Sequence, residues 1–245
     1  MDFKTEAIVL KAIGYKENDK ILTLFAPEKG KMTATIKGVR KPNSKLNFAS
    51  QPFAFCEYVF AERGGRYTVT GAYLHDGFFA LRSDVERFYC ACAVTEILDR
   101  ILVEESEDAK ALFIATAECL KTLSLSDGDT AEPLLTFCQI ALNESGYMLD
   151  LNGCGHCGSE IGEVAYFDFD TGSFCCSSCG KGVRASLSTY HTLRSAAGLT
   201  FDEKKAVGGK KRALRLLKAY LSEKTEGEYP CFSEFIRLYE DGMQK

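Results

Sequence analysis

The run Lys20-Ile21-Leu22-Thr23-Leu24-Phe25-Ala26, the tetrad Pro27-Glu28-Lys29-Gly30 and the run Lys31-Met32-Thr33-Ala34-Thr35-Ile36-Lys37-Gly38-Val39 decide how the N-terminal part of the chain folds. Both runs are rich in β-branched and apolar residues that partly alternate with polar ones, as a strand with one buried face requires. The tetrad between them is turn chemistry, with a proline that presets its own φ and a glycine that accepts a left-handed one. Working outward, Thr5–Ala12, Phe53–Glu62 and Tyr67–Tyr73 repeat the pattern, and Arg63-Gly64-Gly65-Arg66 forms a second tight connection. Five short strands in this space suit a small closed barrel of the OB type, in which closure removes the sheet edges. An SH3-like barrel and an open meander are the alternatives.

From Asp84 the period changes. Val85, Phe88, Tyr89, Cys92, Ile97, Ile101 and Leu102 recur at helical spacing, followed by Leu112, Ala115, Cys119 and Leu123, then Leu134, Leu135, Cys138, Ala141 and Leu142. Pro133 sits where a first-turn proline belongs, and Gly146 where a helix can stop. Beyond a cysteine-rich module the pattern is again helical over Ser186–Ala197, Lys210–Leu221 and Ser233–Tyr239. The expected architecture is α+β and multidomain: a five-stranded OB-type barrel over 1–79, a helical domain over 80–149, an inserted four-cysteine zinc ribbon over 150–182, and C-terminal helices over 183–245 packing on the helical domain. No internal repeat or low-complexity tract interrupts it.

No apolar run approaches the ~18 residues of a membrane span. The N-terminus carries no charged region followed by an apolar one, so the expected compartment is the cytoplasm. Eleven cysteines in such a chain point to metal or redox chemistry rather than a disulfide scaffold, because cytosolic thiols are kept reduced. The formal net charge is −4, which alone argues weakly against nucleic acid. Its distribution argues the other way: residues 1–55 hold ten Lys or Arg and five acids, whereas residues 81–150 hold five and fourteen.

Cys154-Gly155-His156-Cys157 and Cys176-Ser177-Ser178-Cys179 are two Cys-x-x-Cys pairs, each followed by a glycine, Gly158 and Gly180. Four thiolates converging as a tetrahedron fill the shell of zinc and leave no open position, which makes the expected site structural. Val164–Asp168 and Gly172–Cys175 are the expected hairpin between the knuckles. Cys175 and His156 are possible competitors for the metal, but the regular spacing favours Cys176. A thiol oxidoreductase built on Cys154 and Cys157 is the rival reading. It lacks the helix start that lowers a redox cysteine's pKa. Cys56, Cys90, Cys92, Cys119, Cys138 and Cys231 lie in apolar patterns and are expected as small buried hydrophobes.

Lys29, Lys31, Lys37, Arg40, Lys41 and Lys45 cluster from the second turn through the loop after the third strand, with Ser44 as an added hydroxyl. Cations of this density suit phosphate, because displaced counterions supply most of the affinity. Tyr15, Phe25 and Tyr67 are the candidate stacking platforms. A second basic stretch, Lys204, Lys205, Lys210, Lys211, Arg212, Arg215 and Lys218, places Lys211, Arg215 and Lys218 on one helix face that could extend a phosphate track. No Ser/His/Asp set, paired carboxylates or phosphate-cradling loop supports catalysis, so the chain is expected not to be an enzyme.

Glu6-Ala7-Ile8-Val9-Leu10, Glu17-Asn18-Asp19-Lys20-Ile21-Leu22-Thr23-Leu24-Phe25, the Gly30 turn, Lys37-Gly38-Val39-Arg40-Lys41-Pro42-Asn43-Ser44-Lys45-Leu46 and Gln51-Pro52-Phe53 resemble the RecO family of bacterial recombination mediators. The order of barrel, helices and Cys-x-x-Cys pairs is similar to its zinc-bearing members. The resemblance implies a non-enzymatic role in DNA repair and recombination after DNA damage. It implies binding of single- and double-stranded DNA, annealing of complementary strands, association with RecR, and docking on single-strand-binding protein so that RecA is loaded. The compartment would be the bacterial cytoplasm, at the nucleoid. An RNA-binding zinc-ribbon protein is the alternative within the same chemistry.

Overall fold

Leu22, Leu24 and Ala26 of β2 (Asp19–Ala26) and Met32, Ala34 and Ile36 of β3 (Gly30–Ile36) all point into one core. This is the period of two that the sequence carries. In the computed structural model of the chain, which describes residues 2–104, 109–125, 128–198, 201 and 208–242, these strands join β1 (Asp2–Tyr15), β4 (Phe55–Arg63) and β5 (Arg66–Asp76). The five close into a barrel of order β1-β2-β3-β5-β4, with β3 and β5 parallel and β1 completing the ring against β4. The expected OB-type barrel is therefore what forms, and the open meander is excluded because neither β1 nor β4 is left as an edge. Cys56, Tyr58 and Phe60 of β4 complete the interior. The Tyr58 hydroxyl there donates to the Ala49 carbonyl at 2.7 Å, so the buried O–H is satisfied.

Several bounds differ from those expected. β1 runs on to Tyr15, which pairs with Asp19 across a tight hairpin. β3 ends at Ile36 rather than Val39, because Gly38 takes φ +64 and turns the chain away. Between β4 and β5 the two-residue loop Gly64-Gly65 has φ +57 and +70, the primed turn that matches strand twist.

The chain divides into two compact units, Met1–Asp84 with Ile101–Ser124, and Val85–Arg100 with Leu125–Lys245. The segment expected as one helical domain is thus shared. α2 (Lys110–Leu125) lies with the barrel. Its Phe113 ring stands edge-on to Phe25 and Phe55 at 5.3 and 5.6 Å. The Ala109 and Lys31 amides donate to the Pro27 and Val103 carbonyls at 3.2 and 3.3 Å, tying the linker to the β2–β3 turn.

The second unit holds α1 (Val85–Ile101), α3 (Ala131–Glu144), α4 (Leu187–Ala196), α5 (Lys210–Lys224), α6 (Pro230–Gly242) and a small sheet of order β7-β6-β8. Its strands are β6 (Ala165–Asp168), β7 (Ser173–Cys176) and β8 (Val183–Ala185). The expected hairpin gains a third strand. Pro133 sits in the first turn of α3, and the helix ends with Tyr147 N–H donating to Leu142 O and Gly146 N–H to Asn143 O, Gly146 at φ +80. Ser186 caps α4 by accepting from the Thr189 amide at 3.2 Å. At α6, the Glu96 carboxylate accepts from the Cys231 and Phe232 amides at 3.3 and 3.1 Å, a cap supplied by α1. Among the described residues no helix is long and apolar enough to cross a membrane.

Candidate metal centre and nucleic-acid interface

The two Cys-x-x-Cys segments fold alike. The Gly158 amide donates to the Cys154 carbonyl at 2.8 Å and the Gly180 amide to the Cys176 carbonyl at 2.9 Å, and both glycines are left-handed at φ +73 and +54. Each loop thereby curls two sulfurs toward one point. At Gly155 there is no room for a side chain: a Cβ would stand 2.5 Å from Ser173, while its amide donates to Phe174 O at 2.8 Å and fixes the first knuckle to β7.

The sulfurs of Cys154, Cys157, Cys176 and Cys179 all lie within 4.8 Å of one another. Cys157 and Cys176 are 3.7 Å apart, close to the edge of about 3.8 Å of a tetrahedron with metal–sulfur bonds of about 2.3 Å. The donor set and its spacing fit a four-coordinate metal ion, and no other such group occurs among the described residues. Cys175 and His156, the competitors considered from sequence, are outside it, His156 on the surface and Cys175 buried.

Electrostatics separates these sulfurs from the rest. Burial pushes Cys154 up, but N–H groups of Cys176, Cys157 and His156 outweigh it and hold the thiol at about 5. Cys157 is also lowered, first by the Ser159 hydroxyl, 3.2 Å away. Cys179 is raised, first by the Cys157 side chain beside it. A cation at the centre removes that opposition by letting all four ionise together. Elsewhere burial is the largest cause: Cys56 goes up to about 11, Cys138 rises, and Cys92, which like Cys231 is half-buried rather than buried as expected, is pushed up to about 12 with help from Cys231 and Glu96. These are unreactive thiols, as the apolar patterns suggest. No helix starts at Cys154, whose amide donates to Ser159 O in an irregular turn.

The cations expected on the barrel are not all brought together. Lys37, Arg40, Lys41, Ser44 and Lys45 form one loop that closes on the β1–β2 hairpin, with Arg40 N–H donating to Asn18 O at 3.0 Å and Gly38 N–H to Asp19 Oδ1 at 2.8 Å. The Arg40 guanidinium lies over Gly14, where a Cβ would meet it at 3.4 Å. The four charged side chains are exposed and make no ion pair among the described residues. Lys29 and Lys31 sit at the opposite end of β3. There Lys29 covers the Phe3 and Tyr67 rings at 5.0 and 5.9 Å.

Two cations the sequence reading missed belong to the loop's end of the barrel. Lys16 is in the β1–β2 turn, and Lys20 donates to the Ser50 carbonyl and hydroxyl at 3.2 Å. The Lys20 pKa is lowered, first by burial and then by Arg40, a sign of like charges crowded together. Only the hairpin register could have revealed them. Of the stacking candidates, Tyr15 is 41% exposed at this same end, Tyr67 packs on Phe3, and Phe25 is fully buried beneath Phe113 and is no platform. On α5, Lys211 and Arg215 both pair with Glu240 of α6, at 3.1 and 2.6 Å, so their charge is partly spent inside the unit. Lys204 and Lys205 lie outside the described residues.

The chain matches two family models, "Recombination protein O N terminal" over residues 1–78 and "Recombination protein O C terminal" over residues 82–230. It is 30% identical over 250 residues to the DNA repair protein RecO of Desulforamulus reducens, covering 98% of this chain and 96% of that one. The RecO of Acetivibrio thermocellus is 30% identical over 184 residues, 75% of this chain and 73% of its own, and that of Heliobacterium modesticaldum 36% over 163 residues, 66% and 58%. A five-stranded closed barrel, a following set of helices and a four-cysteine cluster are thus joined to sequence similarity over nearly the whole length, and the chain belongs to the RecO family of DNA repair proteins.

Proposed function

We propose that this chain is a non-enzymatic recombination mediator of the bacterial cytoplasm that binds single- and double-stranded DNA and anneals complementary strands. RecR, single-strand-binding protein and, indirectly, RecA are the partners in this reading. The observation that carries it is the loop of Lys37, Arg40, Lys41 and Lys45 held against the β1–β2 hairpin of a closed barrel, with no acid paired to these side chains among the described residues. A phosphate backbone supplies the missing anions, and its released counterions supply affinity. Annealing needs two such backbones to approach, and a cationic face between them screens their repulsion. Tyr15, exposed beside Lys16 at the same end, offers an unstacked base a ring to lie on.

The metal in this reading is zinc, bound by Cys154, Cys157, Cys176 and Cys179. Four thiolates with a filled shell give a structural ion, which fixes the two knuckles and the sheet between them. Elemental analysis of purified protein is expected to give one zinc per chain without the visible absorption of iron. A colourless, metal-free protein of full stability would refute this assignment.

Salt titration with a labelled oligonucleotide tests the DNA reading. Affinity is expected to fall steeply with salt, and Arg40→Ala with Lys41→Ala to weaken binding and reduce the slope by about 1.4 for two phosphate contacts on a single strand. If purified, metal-loaded protein retains no oligonucleotide in dilute buffer, the proposal is wrong. Competition with matched RNA separates a DNA-binding from an RNA-binding protein.

A further inference from the structure

The second unit contains a surface pocket of about 300 Å³ where β8 meets α5, lined by Phe169, Val183, Arg184, Ser186, Arg212 and Arg215 among others. Its charges are not equivalent. Arg215 is engaged by Glu240 at 2.6 Å, and the neighbouring Lys211 shares that carboxylate. Lys210 is held between Asp129 and Glu132, at 2.8 and 2.5 Å. Arg184 and Arg212, by contrast, are exposed and have no acid partner among the described residues. Two uncompensated guanidinium groups on one concave surface repel each other, and an anion placed between them is attracted by both.

Both are held on fixed elements. Arg184 sits on β8 opposite Tyr166 of β6. That strand can lie so close only because Gly182, at φ +101, has no side chain: a Cβ would fall 2.2 Å from the Phe167 carbonyl oxygen. Arg212 is in the first turn of α5, its amide donating to Gly209 O at 3.1 Å. The apolar part of the pocket is built on ring contacts. Phe169 stands edge-on to Phe167 at 4.9 Å and lies 6.2 Å from Tyr220, with Val183 beside it 63% exposed.

We infer that this pocket is a second nucleic-acid site, taking a single-stranded segment with phosphates on Arg184 and Arg212 and a base against Phe169 and Val183. The inference rests on the nucleic-acid reading above and adds residues to it. A duplex keeps its bases stacked inside a wide rod, so a pocket of this size with an apolar wall and an arginine rim selects a flexible strand whose bases are free. The arginines that would meet phosphate here, Arg184 and Arg212, differ from the Lys211 and Arg215 expected from the sequence, which pair with Glu240.

The test uses full-length, metal-loaded protein and a fluorescent oligothymidylate. Arg184→Ala with Arg212→Ala is expected to weaken binding about tenfold at moderate salt and to lower the salt slope by about 1.4. Phe169→Leu is expected to weaken it with the slope unchanged. Photo-crosslinking of an iodouracil-substituted strand should map to the peptide bearing Phe169, and unchanged zinc content and melting temperature exclude misfolding. If the arginine pair is dispensable while Arg40→Ala with Lys41→Ala still impairs binding, this inference fails and the barrel reading stands. If the wild-type protein binds no strand, the barrel reading fails as well. Loss of binding to a fluorescent polyglutamate peptide, with oligonucleotide affinity retained, would reassign the pocket to an acidic protein segment.

Discussion

Cys138 and Cys154 carry the same thiol, yet burial drives the first upward while three backbone N–H groups hold the second at about 5. The difference is whether the chain aims donors at the sulfur, and at the knuckles it does so because Gly158 and Gly180 allow the curl. Two predictions belong here. With a folded value below its ordinary 9.0, Cys154 contributes stability that is fully present above that value and is lost as pH falls through about 5. Metal retention, followed with a chromogenic chelator, is expected to hold at neutral pH and to fall in acid as protons compete with the metal for the four thiolates. Gly155→Ala, which places a Cβ 2.5 Å from Ser173, is expected to lower metal affinity without touching any ligand, measured by competition with the same chelator. The clustering of the four cysteines was legible from spacing alone; the place of Gly155 was not, since Ser173 is distant in sequence.

At the scale of elements, β1 shows why alternation in the sequence is only partial. The register slips between Val9 and Lys11, so that Leu10 is an extra residue and the inward set passes from Ala7 and Val9 to Ala12. The slip sends Lys11, Ile13 and Tyr15 outward beyond it. A sequence read with a strict period of two loses the strand there, which is why its expected end fell at Ala12. Glycine positions give the sharpest tests. Gly146→Ala removes a left-handed residue from the end of α3 and is expected to cost about 1 kcal/mol in denaturant unfolding. Gly182→Ala must displace β8 from β6, so a larger loss is expected, together with weaker oligonucleotide binding if Arg184 moves with the strand.

For the whole molecule, the division into units matters more than the order of elements. α2 follows α1 in the chain but belongs with the barrel, where Phe113 buries Phe25. Phe113→Ala is expected to destabilise the barrel unit by about 3 kcal/mol, read from unfolding curves, while leaving any metal held by the four-cysteine cluster of the second unit in place. A fragment ending at residue 84 lacks this cover, and is expected to bind the apolar dye ANS where the full chain does not. The net charge of −4 is likewise a poor guide, because a sum says nothing of where the uncompensated cations stand.

Local chemistry determined the strands, the turns, the helices and the two Cys-x-x-Cys knuckles from the sequence by itself, since each depends on residues a few positions apart. Tertiary structure alone decided that β1 closes on β4, that α2 covers the barrel, that Lys29 and Lys31 part from the loop at Lys37–Lys45, and which arginines remain unpaired among the described residues. Those outcomes turn on contacts between residues far apart in the chain, such as Arg215 with Glu240, and the free energy of such a contact exists only after the chain has folded to make it.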